Sequence, residues 1–403
     1  MKVAYYSPLP PERSGVADYS ALLLPALRRH VEVEVVRHGR TRPAGGDVAL
    51  YHVGNSPEAH AWIVDALRRR PGVVVLHELV LHHLVAGMTI GRKDGPGYLA
   101  AMERDAGVPG RLLAYGVLDG RVPPLWEVRP QDFPLAGEIL DRATALVVHS
   151  RYVEDGARRL GYEGTLARIP HPAWPDPGVE PADLGPGPVI GSFGHLNASK
   201  RAPELLRAFE LVRERRPDAR LLLVGPAAPR YSLPRLPEGV IREDYVDEPR
   251  LWALMARADA VVSLRAPTMG ETSGTAIRAL VLGRPLVVTD LGWFAELPDE
   301  VAVKVPPGEG EVEALAAALD GLLGDPQALA ARGEAARLLA RSEHDVEHVA
   351  EQYAAVLEEA AGGEAVRDAV LRQVAQAAAD VGIDADSPAA AELAAELRKA
   401  GLG

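Results

Sequence analysis

Cysteine is absent from the 403 residues. The absence excludes disulfides, zinc sites with cysteine ligands, iron–sulfur clusters and a cysteine nucleophile. A run of about 18 apolar residues is also missing, so the sequence predicts no transmembrane helix. The first apolar run, residues 3–6, is soon followed by Pro8 and is too short for the core of a signal peptide. We therefore expect a cytoplasmic protein, and peripheral membrane contact stays open.

Positive charge is in the minority, with 44 Lys and Arg against 56 Asp and Glu and a formal net charge of −12. This composition excludes a global basic footprint for nucleic acid but not a local basic patch. Several nucleotide and metal motifs are missing too: GxGxxG, GxxxxGK[ST], HExxH and a DxD after a strand. We therefore expect no bound metal, and a Rossmann dehydrogenase is disfavoured.

The length and the apolar pattern predict two doubly wound α/β domains. About 100–200 residues form one domain, and short unbroken apolar runs alternate with helical patterns in both halves of the chain. Such runs are typical of parallel strands buried on both faces. The predicted organisation is an N-terminal domain over 1–170, a Pro-rich linker over 171–188, a second domain over 189–345 and C-terminal helices over 346–403. The simplest structural role for the last helices is that of a helical cap or a dimerisation element.

In open α/β sheets, ligands bind at the carboxyl ends of strands, where loops meet helix N-termini. The loop after the first strand contains Arg13, Ser14, Gly15 and Asp18. Gly15 permits close backbone approach to an anion at a helix start. The alternative is a plain surface turn.

His77 follows the fourth apolar run and is a candidate to bind ligand hydroxyls, because a neutral imidazole both donates and accepts hydrogen bonds. In the second half, a strand ending at Phe193 leads into Gly194, His195, Lys200 and Arg201. A glycine turn and two adjacent cations at a helix start suit a phosphate. The alternative is a pair of solvated charges.

The segment 264–280 joins a strand to an apolar helix and is the most informative stretch. Its small residues can expose backbone N–H groups to phosphate or carboxylate oxygens, and Glu271 beside them suits sugar hydroxyls. The alternative for Glu271 is a capping carboxylate on the helix dipole. The candidates here are Gly270, Glu271, Thr272, Ser273, Gly274, Thr275 and Arg278.

With these motifs, the chain from residue 1 to about 360 resembles the retaining GT-B glycosyltransferases, in particular glycosyltransferase family 4. The resemblance rests on the Ser14–Gly15 loop, the loop from Gly194 to Lys200, and the segment 264–289 with Gly283-Arg284-Pro285. It implies two Rossmann-like domains facing across a cleft, with the first C-terminal helix crossing back to the N-terminal domain. Two features depart from the family: His195 stands where an Arg is common, and Gly270 and Arg278 occupy the positions of the Glu-x7-Glu motif.

The resemblance also implies a role for each candidate. The implied catalytic residues are His77, Lys200 and Glu271. Donor phosphates are assigned to Gly15, His195, Lys200, Arg201, Ser273, Gly274 and Thr275. Ribose and sugar are assigned to Gly270, Glu271, Thr272 and Arg278, the nucleobase to Tyr245 and Val246, and the acceptor side to Arg13, Ser14 and Asp18.

The implied activity is that of a hexosyltransferase. It would move a hexose from a UDP- or GDP-linked donor to a hydroxyl of a carbohydrate, lipid-linked or small-molecule acceptor, with retention and without metal or other cofactor. Two alternatives stay open: a sugar-nucleotide epimerase with the GT-B fold, and a non-catalytic GT-B-like protein that binds sugar nucleotide or serves in assembly. A homodimer also stays open.

Overall fold

The structure, a computed structural model, describes residues 1–12, 14–39, 45–229 and 231–399. The chain forms two compact units. The first unit comprises Met1–Ile169 and Ala350–Gly403, and the second unit comprises Pro170–Val349. In the described part of the chain, no helix is both long and apolar enough to span a membrane.

The first unit contains a six-stranded parallel sheet. Its strands are β1 (Lys2–Tyr6), β2 (Glu32–Val36), β3 (Val48–Val53), β4 (Gly72–Leu76), β5 (Ala143–Val148) and β6 (Thr165–Arg168). Their order is β2-β1-β3-β4-β5-β6. Strands β3, β4 and β5 are buried along their whole length, which explains their unbroken apolar sequences. Sequence reasoning missed β6, because this four-residue edge strand is half-buried and has no apolar run.

Helices cover this sheet and fill the long connection between β4 and β5. They are α1 (Gly15–Leu27), α2 (Pro57–Arg69), α3 (His82–Met88), α4 (Gly95–Leu118), α5 (Leu125–Val128), α6 (Gly137–Arg142) and α7 (Arg151–Arg159). The connection has a small core of its own, which includes Tyr98, Met102 and Leu125. Sequence reasoning did not predict α3 to α6, three of which have seven residues or fewer and so show no helical period.

The second unit contains another six-stranded parallel sheet. Its strands are β7 (Val189–Phe193), β8 (Arg220–Val224), β9 (Val240–Glu243), β10 (Ala260–Ser263), β11 (Leu286–Thr289) and β12 (Ala302–Val305). Their order is β12-β11-β10-β7-β8-β9. The order places β7 directly beside β10, although about 70 residues separate them along the chain.

Helices lie on both faces of this second sheet. They are α8 (Ala202–Arg215), α9 (Glu248–Arg257), α10 (Gly274–Val281), α11 (Glu311–Gly324) and α12 (Pro326–Glu343). One apolar core contains residues of α9, α10 and α12, and another contains residues of α8 and α11. The predicted architecture of two doubly wound parallel-sheet domains is therefore confirmed.

Three helices end the chain: α13 (Val346–Ala361), α14 (Glu364–Asp380) and α15 (Pro388–Lys399). Helix α14 packs on β5 and α6, and Arg372 donates a hydrogen bond of 3.1 Å to the Ala143 carbonyl. The break between α14 and α15 contains Gly382, which has φ of 81°.

The Pro-rich segment 170–188 has neither helix nor strand but is held against the second unit. Its Ala173 N–H donates to the His344 carbonyl at 2.7 Å, and its Ala182 N–H donates to the Ala253 carbonyl at 2.9 Å. Ala173 and Ala182 are both buried. This segment is consequently part of the second unit's core.

Candidate functional site

The first element of the candidate site is the turn after β7. Gly194 has φ of 103°, a conformation that glycine adopts without strain. A short 3₁₀ turn follows at Ala198–Lys200 and leads into α8. The Lys200 side chain folds back toward Gly194, where an added Cβ would lie 3.6 Å from Nζ. Burial and the nearby Arg265 charge lower the pKa of Lys200 to about 7.

Arg265 and Glu271 complete this group, which we call the Lys200 cluster (Lys200, Arg265 and Glu271). Nε of Arg265 lies 2.7 Å from Oε1 of Glu271, and both side chains are less than one-fifth exposed. Nη1 of Arg265 donates to Oγ of Ser199 at 3.0 Å. The cluster therefore holds two cationic side chains and one carboxylate in partly desolvated surroundings.

Glu271 is held on both of its oxygens. Its Oε2 accepts hydrogen bonds from Oγ1 of Thr268 at 3.0 Å and from the Met269 N–H at 2.7 Å. These bonds and the Arg265 ion pair fix the loop from 268 to 271, in which Gly270 has φ of 90°. Glu271 thus positions Arg265 and orders the loop that precedes α10.

The N-terminus of α10 lies beside the same turn. Ser273 is the N-cap, and its Oγ accepts from the Ala276 N–H at 3.3 Å and lies 3.0 Å from Oγ1 of Thr275. A Cβ at Gly194 would lie 3.5 Å from Cγ2 of Thr275. Gly194 is thus a neighbour of both Lys200 and the first turn of α10. A lysine side chain and a helix N-terminus at one turn have the chemistry that suits an anion.

Two predicted phosphate residues lie in different surroundings. Arg201 forms an ion pair with Glu311, whose side chain is 1% exposed, and Nη2 of Arg201 lies 3.5 Å from Glu204. Glu311 raises the pKa of Arg201. His195 is exposed. The cation that the structure brings to Lys200 is therefore Arg265, which sequence reasoning missed although it directly follows the buried Leu264.

Arg278, predicted to contact sugar, is buried in the helix α10. Its guanidinium carbon lies 3.5 Å from the ring centroid of Trp174 and 5.7 Å from that of Trp252. Its Nη2 is 3.8 Å from Oε1 of Glu248. These contacts tie the Pro-rich segment to α9 and α10 through a cation–π stack.

The remaining candidates of the second unit are Thr272, Gly274, Tyr245 and Val246. The Thr272 hydroxyl is buried without a hydrogen-bond partner among the described residues, and Gly274 lies against Trp174. Tyr245 is 64% exposed, while Val246 packs against the core of α9 and α10. Tyr245 and Val246 follow the edge strand β9.

The acceptor-side candidates are at the start of α1 in the first unit. Oγ of Ser14 accepts from the Ala17 N–H at 3.0 Å and caps the helix. Gly15 and Asp18 are exposed in the first helical turn. Arg13 lies outside the described residues.

His77 directly follows β4 and is 8% exposed. Its Nε2 lies 3.0 Å from Nδ1 of His52 on β3, and its ring lies 5.0 Å from that of His149, which follows β5. Sequence reasoning did not single out His52 or His149. The signal was available, because both stand at or near the carboxyl ends of predicted strands. Among the described residues, no group of three or more His, Cys, Asp or Glu side chains could hold a metal ion.

Comparison with known families adds to this geometry. Residues 187–325 match the family model described as Glycosyl transferases group 1. The chain is also 29% identical over 198 residues to the glycogen synthase of Mycobacterium tuberculosis, a match that covers 47% of each chain. The chain thus spans about half the length of the curated relatives it matches.

Solved structures with the same fold cover more of the chain. Sucrose-phosphate synthase from Thermosynechococcus elongatus has a TM-score of 0.59 at 19% identity, over 89% of this chain and 98% of the synthase. The Anabaena protein HepE in complex with UDP and glucose has a TM-score of 0.58 at 16% identity, over 89% of this chain and all of HepE. The two doubly wound sheets with C-terminal helices therefore constitute a GT-B fold, as the sequence predicts.

Proposed function

We propose that this protein is a retaining hexosyltransferase of glycosyltransferase family 4, which moves a hexose from a nucleotide-diphosphate sugar to an acceptor hydroxyl. The observation that carries the proposal is the Lys200 cluster beside Gly194 and the N-terminus of α10. The family match over residues 187–325 includes this whole arrangement. The similarity to glycogen synthase and sucrose-phosphate synthase supports the same class of reaction.

The chemical demand of the reaction is the negative charge that develops on the leaving nucleoside diphosphate. Lys200 and Arg265 would neutralise it, aided by backbone N–H groups at the start of α10. In the free protein one carboxylate, Glu271, offsets two cationic side chains. Burial and then the Arg265 charge lower the pKa of Lys200. A bound diphosphate would supply negative charge and favour the protonated form of Lys200.

The proposed donor is a UDP-hexose, because the HepE structures of similar fold hold UDP, glucose and UDP-glucose. Tyr245 and Val246 would meet the uracil base after β9. Arg278 contacts the rings of Trp174 and Trp252. In this proposal it therefore supports the donor site through these contacts, while Gly270 and Thr272 line the sugar side.

The proton of the acceptor hydroxyl would pass to the leaving phosphate oxygen, so the proposed mechanism needs no separate strong base and no metal. His77 is proposed to hydrogen-bond a hydroxyl of the hexose. Acceptor contacts are proposed for Ser14 and Asp18.

The first experiment is thermal stabilisation by UDP, GDP and ADP and by their glucose, mannose and N-acetylglucosamine conjugates, with and without EDTA. A bound ligand raises the Tm by mass action. We expect the largest shift from UDP compounds and no effect of EDTA. The absence of any shift would favour the non-catalytic alternative, and isomerisation of the donor without acceptor would favour the epimerase.

Lys200→Ala tests the role of the cluster directly. We expect turnover to fall about 10²-fold or more, the usual loss when one charge-stabilising group is removed. Lys304→Ala is the matched control, since Lys304 belongs to the same unit and pairs with the exposed Asp299. Steady-state kinetics measures both variants, with the donor that the thermal-stabilisation experiment identifies. Wild-type turnover in Lys200→Ala would contradict the proposal.

A further inference from the structure

Three histidines stand at the carboxyl ends of three adjacent strands. His52 lies within β3, His77 follows β4 and His149 follows β5, and these strands are neighbours in the sheet. The ring centroids of His52 and His77 are 5.3 Å apart, and those of His77 and His149 are 5.0 Å apart. We call this group the histidine row.

Aromatic side chains surround the row. The Tyr19 ring meets His77 edge-on at 4.8 Å, and the Tyr5 ring lies 4.7 Å from His52. The Tyr19 and Tyr353 hydroxyls are 2.7 Å apart, so α13 contributes to the wall. His52 is consequently completely buried, whereas His77 keeps a small exposed fraction.

The contact between Nδ1 of His52 and Nε2 of His77, at 3.0 Å, requires one proton between two ring nitrogens. Burial and the neighbouring His149 and His60 hold the pKa of His52 well below its usual range. His52 is therefore neutral at neutral pH and carries only one ring proton. That proton lies either on Nδ1, toward His77, or on Nε2.

The surroundings of the other ring nitrogen decide between these tautomers. Nε2 of His52 is buried and has no hydrogen-bond partner among the described residues. If His77 were the donor, His52 would have to carry its proton on Nε2 as a buried, unpaired N–H. Orphaned N–H groups are rarer in native proteins than orphaned acceptors. The favoured arrangement therefore has the proton of His52 on Nδ1.

We infer that His52 is a positioning residue, whose Nδ1–H donates to Nε2 of His77 and holds His77 as the Nδ1–H tautomer. His77 then acts through Nδ1 as a hydrogen-bond donor and not as a base. A donor of this kind suits a hydroxyl oxygen of a sugar. The substrate part of the inference rests on the proposed function, and the tautomer part does not.

Selective ¹⁵N labelling of the histidines tests the tautomer in the ligand-free protein. Two-bond ¹H–¹⁵N correlation spectra distinguish a protonated from an unprotonated ring nitrogen, and the spectrum of His77→Ala assigns the His77 signals. We expect Nδ1 of His77 to be protonated and Nε2 to be an acceptor. An Nε2–H tautomer of His77 in the wild-type protein would overturn the inference, whatever the enzymatic activity.

Two substitutions of His52 separate positioning from packing. Asn can place an amide N–H near the site of Nδ1, whereas Leu fills space without a donor. We expect His52→Leu to redistribute the His77 tautomers and to lower kcat about 10- to 100-fold with a smaller change in KM, as for a displaced catalytic group. His52→Asn should restore the Nδ1–H tautomer and most of kcat.

The two readouts, the His77 tautomer and kcat, distinguish failure of the positioning role from failure of the proposed function. Equal loss in both variants with an unchanged His77 tautomer would mean that His52 only fills space, and would refute the positioning role. The expected tautomer shift in a protein that transfers no sugar would uphold the positioning role and count against the proposed function alone.

Discussion

At the scale of single residues, Arg201 and Arg265 differ in their ion-pair partners. Arg201 is adjacent to Lys200 in sequence, but its guanidinium is held by Glu311 and Glu204. Arg265 forms an ion pair with Glu271, and the Glu271 charge also raises the pKa of Lys200. An incoming diphosphate therefore gains more from Arg265, because Arg201 is already neutralised.

This difference predicts opposite results for two alanine variants. Arg265→Ala should weaken UDP binding about tenfold or more, the scale of a lost charge-assisted hydrogen bond. Arg201→Ala should leave UDP affinity within about twofold, yet reduce the free energy of unfolding by about 1–3 kcal/mol, because the buried Glu311 loses its partner. Titration calorimetry and urea unfolding measure the two quantities. If Arg201→Ala weakened UDP binding and Arg265→Ala did not, Arg201 and not Arg265 would be the arginine that binds the diphosphate.

The lowered pKa of Lys200 predicts a pH dependence of UDP binding. Above about pH 7 the free protein has a neutral Lys200, but a bound diphosphate favours the charged form. Binding therefore takes up a proton, and affinity should fall by up to about tenfold per pH unit as the pH rises from about 7 to 9. Calorimetry in buffers of different ionisation enthalpy measures the uptake.

Lys200→Arg is the control for this pH dependence. The guanidinium keeps its charge across the range, so the variant should bind UDP without proton uptake above pH 7. A wild-type protein with the same flat profile would show that Lys200 stays charged throughout.

At the scale of secondary-structure elements, the site depends on how α10 begins. Ser273 caps this helix, and Gly194 brings the turn after β7 against its first residues. A frayed first turn would disperse the N–H groups that face the anion. Capping of α10 is therefore linked both to stability and to binding.

Ser273→Ala should lower the free energy of unfolding by about 1 kcal/mol and also weaken UDP binding. Asp325→Ala is the matched control, since Asp325 caps α12 in the same unit by accepting from the Ala328 N–H at 2.9 Å. The control should show a similar loss of stability with unchanged affinity. An unchanged UDP affinity in Ser273→Ala would show that the cap of α10 does not contribute to UDP binding.

At the scale of the whole molecule, the chain leaves its first unit at Ile169 and supplies that unit again from Ala350 onward. Tyr353 and Arg372 are the contacts that matter here. The Tyr353 hydroxyl is hydrogen-bonded to the Tyr19 hydroxyl. Arg372 donates a hydrogen bond to the Ala143 carbonyl at the start of β5. The C-terminal helices are thus part of the fold of the first unit.

Deleting residues 362–403 should therefore destabilise the first unit and spare UDP binding. A loss of about 1–2 kcal/mol would lower the Tm by about 4 °C in a domain of this size. Hydrogen exchange of the β5 and β6 amides should become faster, while UDP affinity stays at the wild-type value. An unaltered exchange rate in β5 would mean that α14 adds nothing to this sheet.

The sequence by itself determined the architecture and the loops that carry the candidate site. Unbroken apolar runs such as Val73–Leu76 reflect strands buried on both faces. This pattern is local, so it can be recognised from the sequence without knowledge of the fold. The glycine at 194 likewise signalled a turn that the structure contains. Edge strands β6 and β12 escaped detection, because each has only four residues and neither is an unbroken apolar run.

The tertiary structure alone decided which side chains meet. Arg265 joins Lys200 because the sheet order places β10 beside β7, so the carboxyl ends of distant segments share one edge. The same reason brings His52, His77 and His149 together across β3, β4 and β5. Charges and hydrogen-bonding groups find partners by distance in space, and sequence spacing alone does not fix the order of strands in a parallel sheet.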